Sequence, residues 1–127
     1  MKKINSNLYL EEKYFINEKN FFLKNSWFLA GHISDFLTEN DFKTIQLFDQ
    51  SVVIYKLKNK LRAFTNVCLH RGNIIKTKSR GNEPFVCQYH GWSYNEYGQP
   101  KNIPFKDKCF NINHAIIKKL KLNSWNI

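Results

Sequence analysis

Cysteine is scarce in this chain of 127 residues, with three in all, and there are only four histidines, five glycines, three prolines and one methionine. Cys68 and Cys87 belong to the paired motif described below, which leaves Cys109 by itself. No disulfide can be drawn without taking a thiol from that motif, which fits a reducing compartment. Cys109 reads as a small buried hydrophobe. Acidic residues are also few, ten against twenty Lys and Arg, for a net charge of +10. The basic residues fall in scattered groups, Lys2-Lys3, Lys58 and Lys60, Lys76 and Lys78, and Lys118-Lys119 with Lys121. No nucleic-acid recognition motif accompanies them, so a solvated basic surface or a face for an acidic partner is expected, and no nucleic acid. Long hydrophobic runs are missing too. The apolar stretch over residues 21–30 is interrupted by Lys24, Asn25 and Ser26, and no apolar segment follows Lys2-Lys3. Neither a secretory leader nor a membrane span is expected, and the chain reads as cytoplasmic with no membrane partner.

What is abundant is aromatic. Eleven Phe and six Tyr, in a chain that is 43% hydrophobic and 16% aromatic, suit a β-rich domain of single-domain size. Residues 1–20 read as a loose polar arm, followed by a short helix over 18–25 that would place Phe21, Phe22 and Trp27 on the body of the domain. Residues 27–33 read as a strand and 35–41 as a turn or loop. Alternation over 43–47 and β-branched residues over 51–57 predict two strands. Lys58-Asn59-Lys60 is a turn, and 61–65 the return strand. Gly81-Asn82-Glu83-Pro84 and Asn95-Glu96-Tyr97-Gly98 read as turns, and 116–122 as a last strand. No repeat, linker or low-complexity block is present. The fold class expected is all-β, stacked small antiparallel sheets with a short N-terminal helical arm over 1–26 and one domain over 27–127.

Between two of these strands and turns lies the chemistry. The chain carries Cys68-Leu69-His70-Arg71-Gly72 and Cys87-Gln88-Tyr89-His90-Gly91-Trp92, with residues 71–86 between His70 and Cys87. Two thiolates and two imidazoles on two glycine-bearing loops make a four-ligand metal site. Zinc sites space the ligands of a pair by two to four residues, and Cys-x-His is tighter than that. A two-iron, two-sulfide cluster with two thiolates on one iron and two imidazoles on the other asks each loop for one of each. Zinc, and a set of unconnected buried residues, stand as the alternatives. Gly72 and Gly91 either let backbone N–H groups approach the sulfides or simply make tight turns. Trp92 and Tyr94 are expected to pack beneath the cluster. Arg71 reads as a surface salt-bridge partner or a docking residue.

Those loops, with Asn66-Val67 before the first and Gly91-Trp92-Ser93-Tyr94 closing the second, resemble the Rieske domain of ring-hydroxylating oxygenase large subunits. Trp27-Phe28-Leu29-Ala30-Gly31-His32 resembles the opening of that domain, and Ser51-Val52-Val53-Ile54-Tyr55 followed by Leu61-Arg62-Ala63-Phe64 resembles its hairpin. The likeness covers roughly residues 14–104, and Ser124-Trp125-Asn126-Ile127 resembles the passage into a catalytic domain, which is expected to be absent.

The resemblance implies a Rieske-type [2Fe-2S] cluster, one per chain, held by Cys68, His70, Cys87 and His90. It implies electrons arriving from a reductase or ferredoxin and leaving, by way of His90, for a mononuclear iron in a neighbouring subunit's catalytic domain. That iron uses two His and a carboxylate, and only His32 and His114 remain here, in unsuitable contexts. The chain is therefore expected to be an oxidoreductase component that is not catalytically competent alone. The alternative is a free-standing Rieske ferredoxin, a soluble carrier. High-potential Rieske proteins clamp their loops with a disulfide and place a Ser hydroxyl against a sulfide. The matching positions here hold Asn73, Tyr89 and Trp92, which implies a potential at the low end of the Rieske range.

Overall fold

The structure, a computed structural model, describes residues 3–105 and 115–123. Cys109, His114 and the final four residues lie outside them. A helical N-terminal segment, α1 (Asn7–Leu10) and α2 (Glu12–Asn25), is followed by a 3-10 turn (Ile33–Asp35). Strands β1 (Asp41–Leu47), β2 (Gln50–Leu57), β3 (Lys60–Thr65), β4 (Arg80–Asn82), β5 (Ser93–Tyr94), β6 (Pro100–Asn102) and β7 (Lys119–Leu120) follow. β1, β2, β3, β4 and β7 form an antiparallel sheet in the order β4-β1-β2-β3-β7, and β5 and β6 form a two-stranded antiparallel sheet of their own. The all-β reading with small antiparallel sheets therefore holds.

β2 is the central strand and is apolar on both faces, which is why its sequence runs Val-Val-Ile-Tyr without alternation. Val53, Tyr55 and Leu57 point into the larger core with Phe42, Phe64, Phe85, Cys68, Cys87, Trp92 and Tyr94. Val52 and Ile54 point the other way, onto Phe36 and Ala63. One face of the sheet is thus the floor on which the candidate ligands sit. Opposite it lies a cleft of about 340 Å³ between the sheet and residues 23–30. The β2–β3 turn is made by Lys58 and Asn59, both with positive φ (49° and 57°). The Glu39 carboxylate accepts their N–H groups at 2.8 and 3.3 Å, which holds a geometry that a lysine rarely adopts.

Five expectations are corrected. The helix begins at Glu12 rather than 18, so most of the supposed loose arm is helical, and none of its residues is buried. Phe21, Phe22 and Trp27 stand 61%, 46% and 61% exposed rather than on the body of the domain. Residues 27–32 belong to no strand, so β-rich composition there has no ladder to join, and Leu29 is 93% exposed. Gly81-Asn82 lies in β4 rather than a turn, because Gly81 faces Phe42 so closely that a Cβ would come within 3.0 Å of its ring. The last strand is confined to Lys119–Leu120, where it meets Phe64 and Ala63.

Phe64 is fully buried, with its ring 5.2 Å from that of Phe85, which leads into the second ligand loop. Phe64→Ala should therefore cost about 3–5 kcal/mol, read as a lower denaturation midpoint. A loss under about 1 kcal/mol would contradict this packing.

Candidate metal centre

The two loops are built to one backbone plan. In the first, the Cys68 N–H donates to Asn73 O at 2.8 Å and the Gly72 N–H to Cys68 O at 2.9 Å. In the second, the Cys87 N–H donates to Trp92 O at 2.8 Å and the Gly91 N–H to Cys87 O at 3.0 Å. Each loop is closed at its base by a single antiparallel bridge, Val67 to Ile74 and Val86 to Ser93. Counted from its cysteine, each loop therefore has its glycine, its closing carbonyl and its bridge at the same offsets. Only the histidine differs, two residues on in the first loop and three in the second. Gly72 and Gly91 have φ of 68° and 72°, the left-handed region that closes such a turn. Their own N–H groups are spent on the cysteine carbonyls, so both glycines make tight turns.

The plan brings the four candidate ligands together as two pairs. Cys68 and Cys87 are both buried, 3% and 1% exposed, and their thiols lie close enough to interact. The His70 and His90 rings stand edge to face with centroids 4.7 Å apart. Among the described residues no three His, Cys, Asp or Glu side chains surround one point as a single-ion site does. A sulfur pair beside an imidazole pair is the donor set of a binuclear cluster with one thiolate-ligated and one imidazole-ligated iron. Burial, with His90 and Arg71 nearby, lowers the pKa of His70, which keeps that imidazole neutral as a ligand must be. Burial pushes the Cys68 thiol up, against the Tyr94 hydroxyl, and a bound cation would reverse that by taking the thiolate.

Two residues expected only to pack do more. Trp92 is 2% exposed and stacks on His70, ring centroids 4.9 Å apart and planes 8° from parallel, which holds the imidazole's orientation. The Tyr94 hydroxyl lies 3.0 Å from Cys68 Sγ and accepts the Leu69 N–H at 3.1 Å. When Cys68 is a thiolate, as a metal ligand must be, it can only accept, and the hydroxyl proton is then directed at sulfur. Burial and Cys68 raise the Tyr94 pKa well above its ordinary value, so the phenol keeps the proton it donates. No sequence signal announced this bond, because the partners are 26 residues apart. Tyr89 is 61% exposed and packs on His90, centroids 4.0 Å apart, at the surface. Arg71 is exposed and enters none of the ion pairs among the described residues. His32 caps the 3-10 turn, its Nδ1 2.8 Å from Ser34 Oγ, remote from the loops in role as well as sequence.

Residues 26–122 match the family described as the Rieske [2Fe-2S] domain. The chain belongs to that family. Its domain type carries a Rieske-type two-iron, two-sulfide cluster, and the donor set just described fits it. The chain is 32% identical over 110 residues to the biphenyl 2,3-dioxygenase alpha subunit of Rhodococcus jostii (strain RHA1), covering 85% of this chain and 24% of that protein. It is 38% identical over 87 residues to the biphenyl dioxygenase alpha subunit of Paraburkholderia xenovorans (strain LB400), covering 67% of this chain and 19% of that one. Among solved structures, the apo form of a quaternary ammonium Rieske monooxygenase superposes with a TM-score of 0.81 at 27% identity, over 95% of this chain and 36% of its own. A naphthalene 1,2-dioxygenase bound to phenanthrene superposes with a TM-score of 0.72 at 28% identity, over 86% and 27%. The chain thus spans about a quarter of the length of the curated relatives it matches. Among the described residues no helix is long and apolar enough to cross a membrane.

A hydrogen bond to ligand sulfur favours the added electron, so its removal has a direction. Tyr94→Phe should lower the midpoint potential of the Rieske domain by about 20–60 mV, the one-electron equivalent of a single hydrogen bond. An unchanged or raised midpoint would contradict a hydroxyl proton aimed at Cys68 Sγ.

Proposed function

We propose that Cys68 and Cys87 ligate one iron and His70 and His90 the other, and that the domain relays single electrons for a ring-hydroxylating oxygenase. In this reading a reductase or ferredoxin delivers the electron, and a mononuclear iron in an oxygenase catalytic domain, of a neighbouring subunit, receives it. The single observation that carries the reading is the pairing of two buried thiols beside two adjacent imidazoles on loops of identical backbone plan. The cluster supplies the one-electron chemistry; the residues of the chain set its surroundings.

Tyr94 holds a proton against Cys68 Sγ, and Trp92 fixes the plane of His70. His90 is exposed, so its imidazole is the ligand that a partner can approach, with Tyr89 beside it. Neutral imidazoles in place of thiolates raise the potential relative to all-Cys clusters. Asn73 and Tyr89 stand where the high-potential proteins resembled have a disulfide, and Trp92 where they have a Ser. That leaves Tyr94 as the side-chain donor to ligand sulfur among the described residues. One donor supports a potential near the bottom of the Rieske range, a poise for accepting electrons from a nicotinamide-linked chain. The alternative of a free-standing ferredoxin draws less support, because the relatives named above are oxygenase subunits. The domain over 27–127, the arm before it and a cytoplasmic setting belong to the same proposal.

Protein-film voltammetry at neutral pH should give a midpoint of roughly −150 mV rather than roughly +300 mV. A midpoint above zero would contradict the oxygenase-type assignment. Separately, the chain supplied with reductant and ferrous iron should oxidise no aromatic substrate. Substrate-dependent oxygen uptake with product formation would overturn its role as an electron-transfer part.

A further inference from the structure

The two ligand loops leave the sheet at separate places, and no covalent link can join them at Asn73 and Tyr89. We propose that Lys76 and Glu83 are positioning residues whose ion pair, its ammonium buried and its carboxylate partly exposed, clamps the roots of the two loops together. The inference rests on the ligand assignment proposed above.

Lys76 belongs to the root of the first loop. Asn66, 1% exposed, brackets it from the other side of that root: its Nδ2 donates to Lys76 O at 2.7 Å, and its Oδ1 accepts the Lys76 N–H at 2.9 Å. The Lys76 side chain is 3% exposed, and its ammonium lies 5.3 Å from the centroid of the Phe42 ring. Among the described residues its carboxylate partner is Glu83, Nζ to Oε2 at 2.8 Å. Glu83 belongs to the approach to the second loop. Its N–H donates to Asn40 O at 3.3 Å, and the next residue, Pro84, accepts the buried Tyr55 hydroxyl at 3.2 Å and the Val86 N–H at 2.7 Å. The same carboxylate takes Lys78 on Oε1 and Gln88 Nε2 on Oε2 at 3.3 Å, and Gln88 adjoins Cys87.

The chemistry makes this an unusual place for a charge. An ammonium withdrawn from water is costly unless paired, and a buried pair adds less stability than well-packed apolar side chains of the same size. What such a pair supplies is direction, since it is satisfied in one geometry only. Here that geometry joins the bracketed base of one loop to the lead-in of the other. Lys76 and Lys78 hold the Glu83 carboxyl down to about 2, so the pair is charged over the working range. The spare lone pairs of Glu83 then reach the residue next to Cys87.

The test uses the full chain purified aerobically. Three quantities are read: the EPR spectrum of the reduced protein, the half-life of visible absorbance under chelator, and the thermal midpoint by circular dichroism. Glu83→Gln should shorten the half-life about tenfold or more, the usual scale for residues that orient metal ligands. The double variant Lys76→Met with Glu83→Met should recover the parent's thermal midpoint yet keep the short half-life and an altered EPR spectrum. Recovery of half-life and spectrum along with the midpoint would show a role in the fold alone and overturn the clamp. Should the double variant not fold, Gln88→Ala decides, because Gln88 is exposed and its loss leaves the sheet intact. It should shorten the half-life about twofold or more at an unchanged midpoint, the scale of one hydrogen bond to a charged acceptor. An unchanged half-life and spectrum would overturn the proposal. A parent protein without a mixed-ligand EPR spectrum would instead overturn the ligand assignment.

Discussion

Two cysteine carbonyls, each capped by the N–H of a glycine four residues on, set the geometry on which everything else in this domain depends. The bond closes each loop into a tight turn with a left-handed glycine and buries the cysteine against the sheet. Because both loops obey it, they present their donors as near-copies of one another, sulfur beside sulfur and imidazole beside imidazole. The histidine offset, two residues in one loop and three in the other, is the one place where the copies part.

The sheet exists, in functional terms, to hold those turns still. Its central strand is buried on both faces, so the floor beneath the loops is closely packed from either side. Aromatic rings carry the packing upward from Phe42 through Tyr55 and Phe85 to Tyr94, with successive centroids 5.4, 4.7 and 5.4 Å apart. Tyr94 ends that stack with its hydroxyl on Cys68 Sγ, so a packing column terminates in a hydrogen bond to a candidate ligand. Rigidity of this kind is what an electron carrier needs, since a site that keeps its geometry in both redox states has little to reorganise.

The pairing of two cysteines and two histidines on two loops was legible in the sequence because Cys-x-His and Cys-x-x-His are local, and local spacing survives into structure. The β1–β3 meander was legible for the same reason: alternation at 43–47 and the β-branched run at 51–57 both report burial. What could not be read depends on partners far along the chain. Tyr94 looked like packing because nothing local says which atom its hydroxyl meets. Gly81 looked like a turn because its reason for being glycine is the Phe42 ring 39 positions earlier. Residues 27–33 looked like a strand because composition cannot say whether a ladder partner exists. Phe21 and Phe22 of α2 are exposed, so hydrophobicity there gave a false expectation of burial.

The central claim is that one chain holds two irons in unlike coordination, thiolates on one and imidazoles on the other. Mössbauer spectroscopy of the iron-57-enriched protein, oxidised and then reduced by one electron, tests it most directly. The account predicts about two irons per chain, as this cluster type requires, with two distinct quadrupole doublets when oxidised and the added electron localised on the imidazole-ligated iron when reduced. Two equivalent iron sites, or a colourless protein carrying stoichiometric zinc, would contradict it.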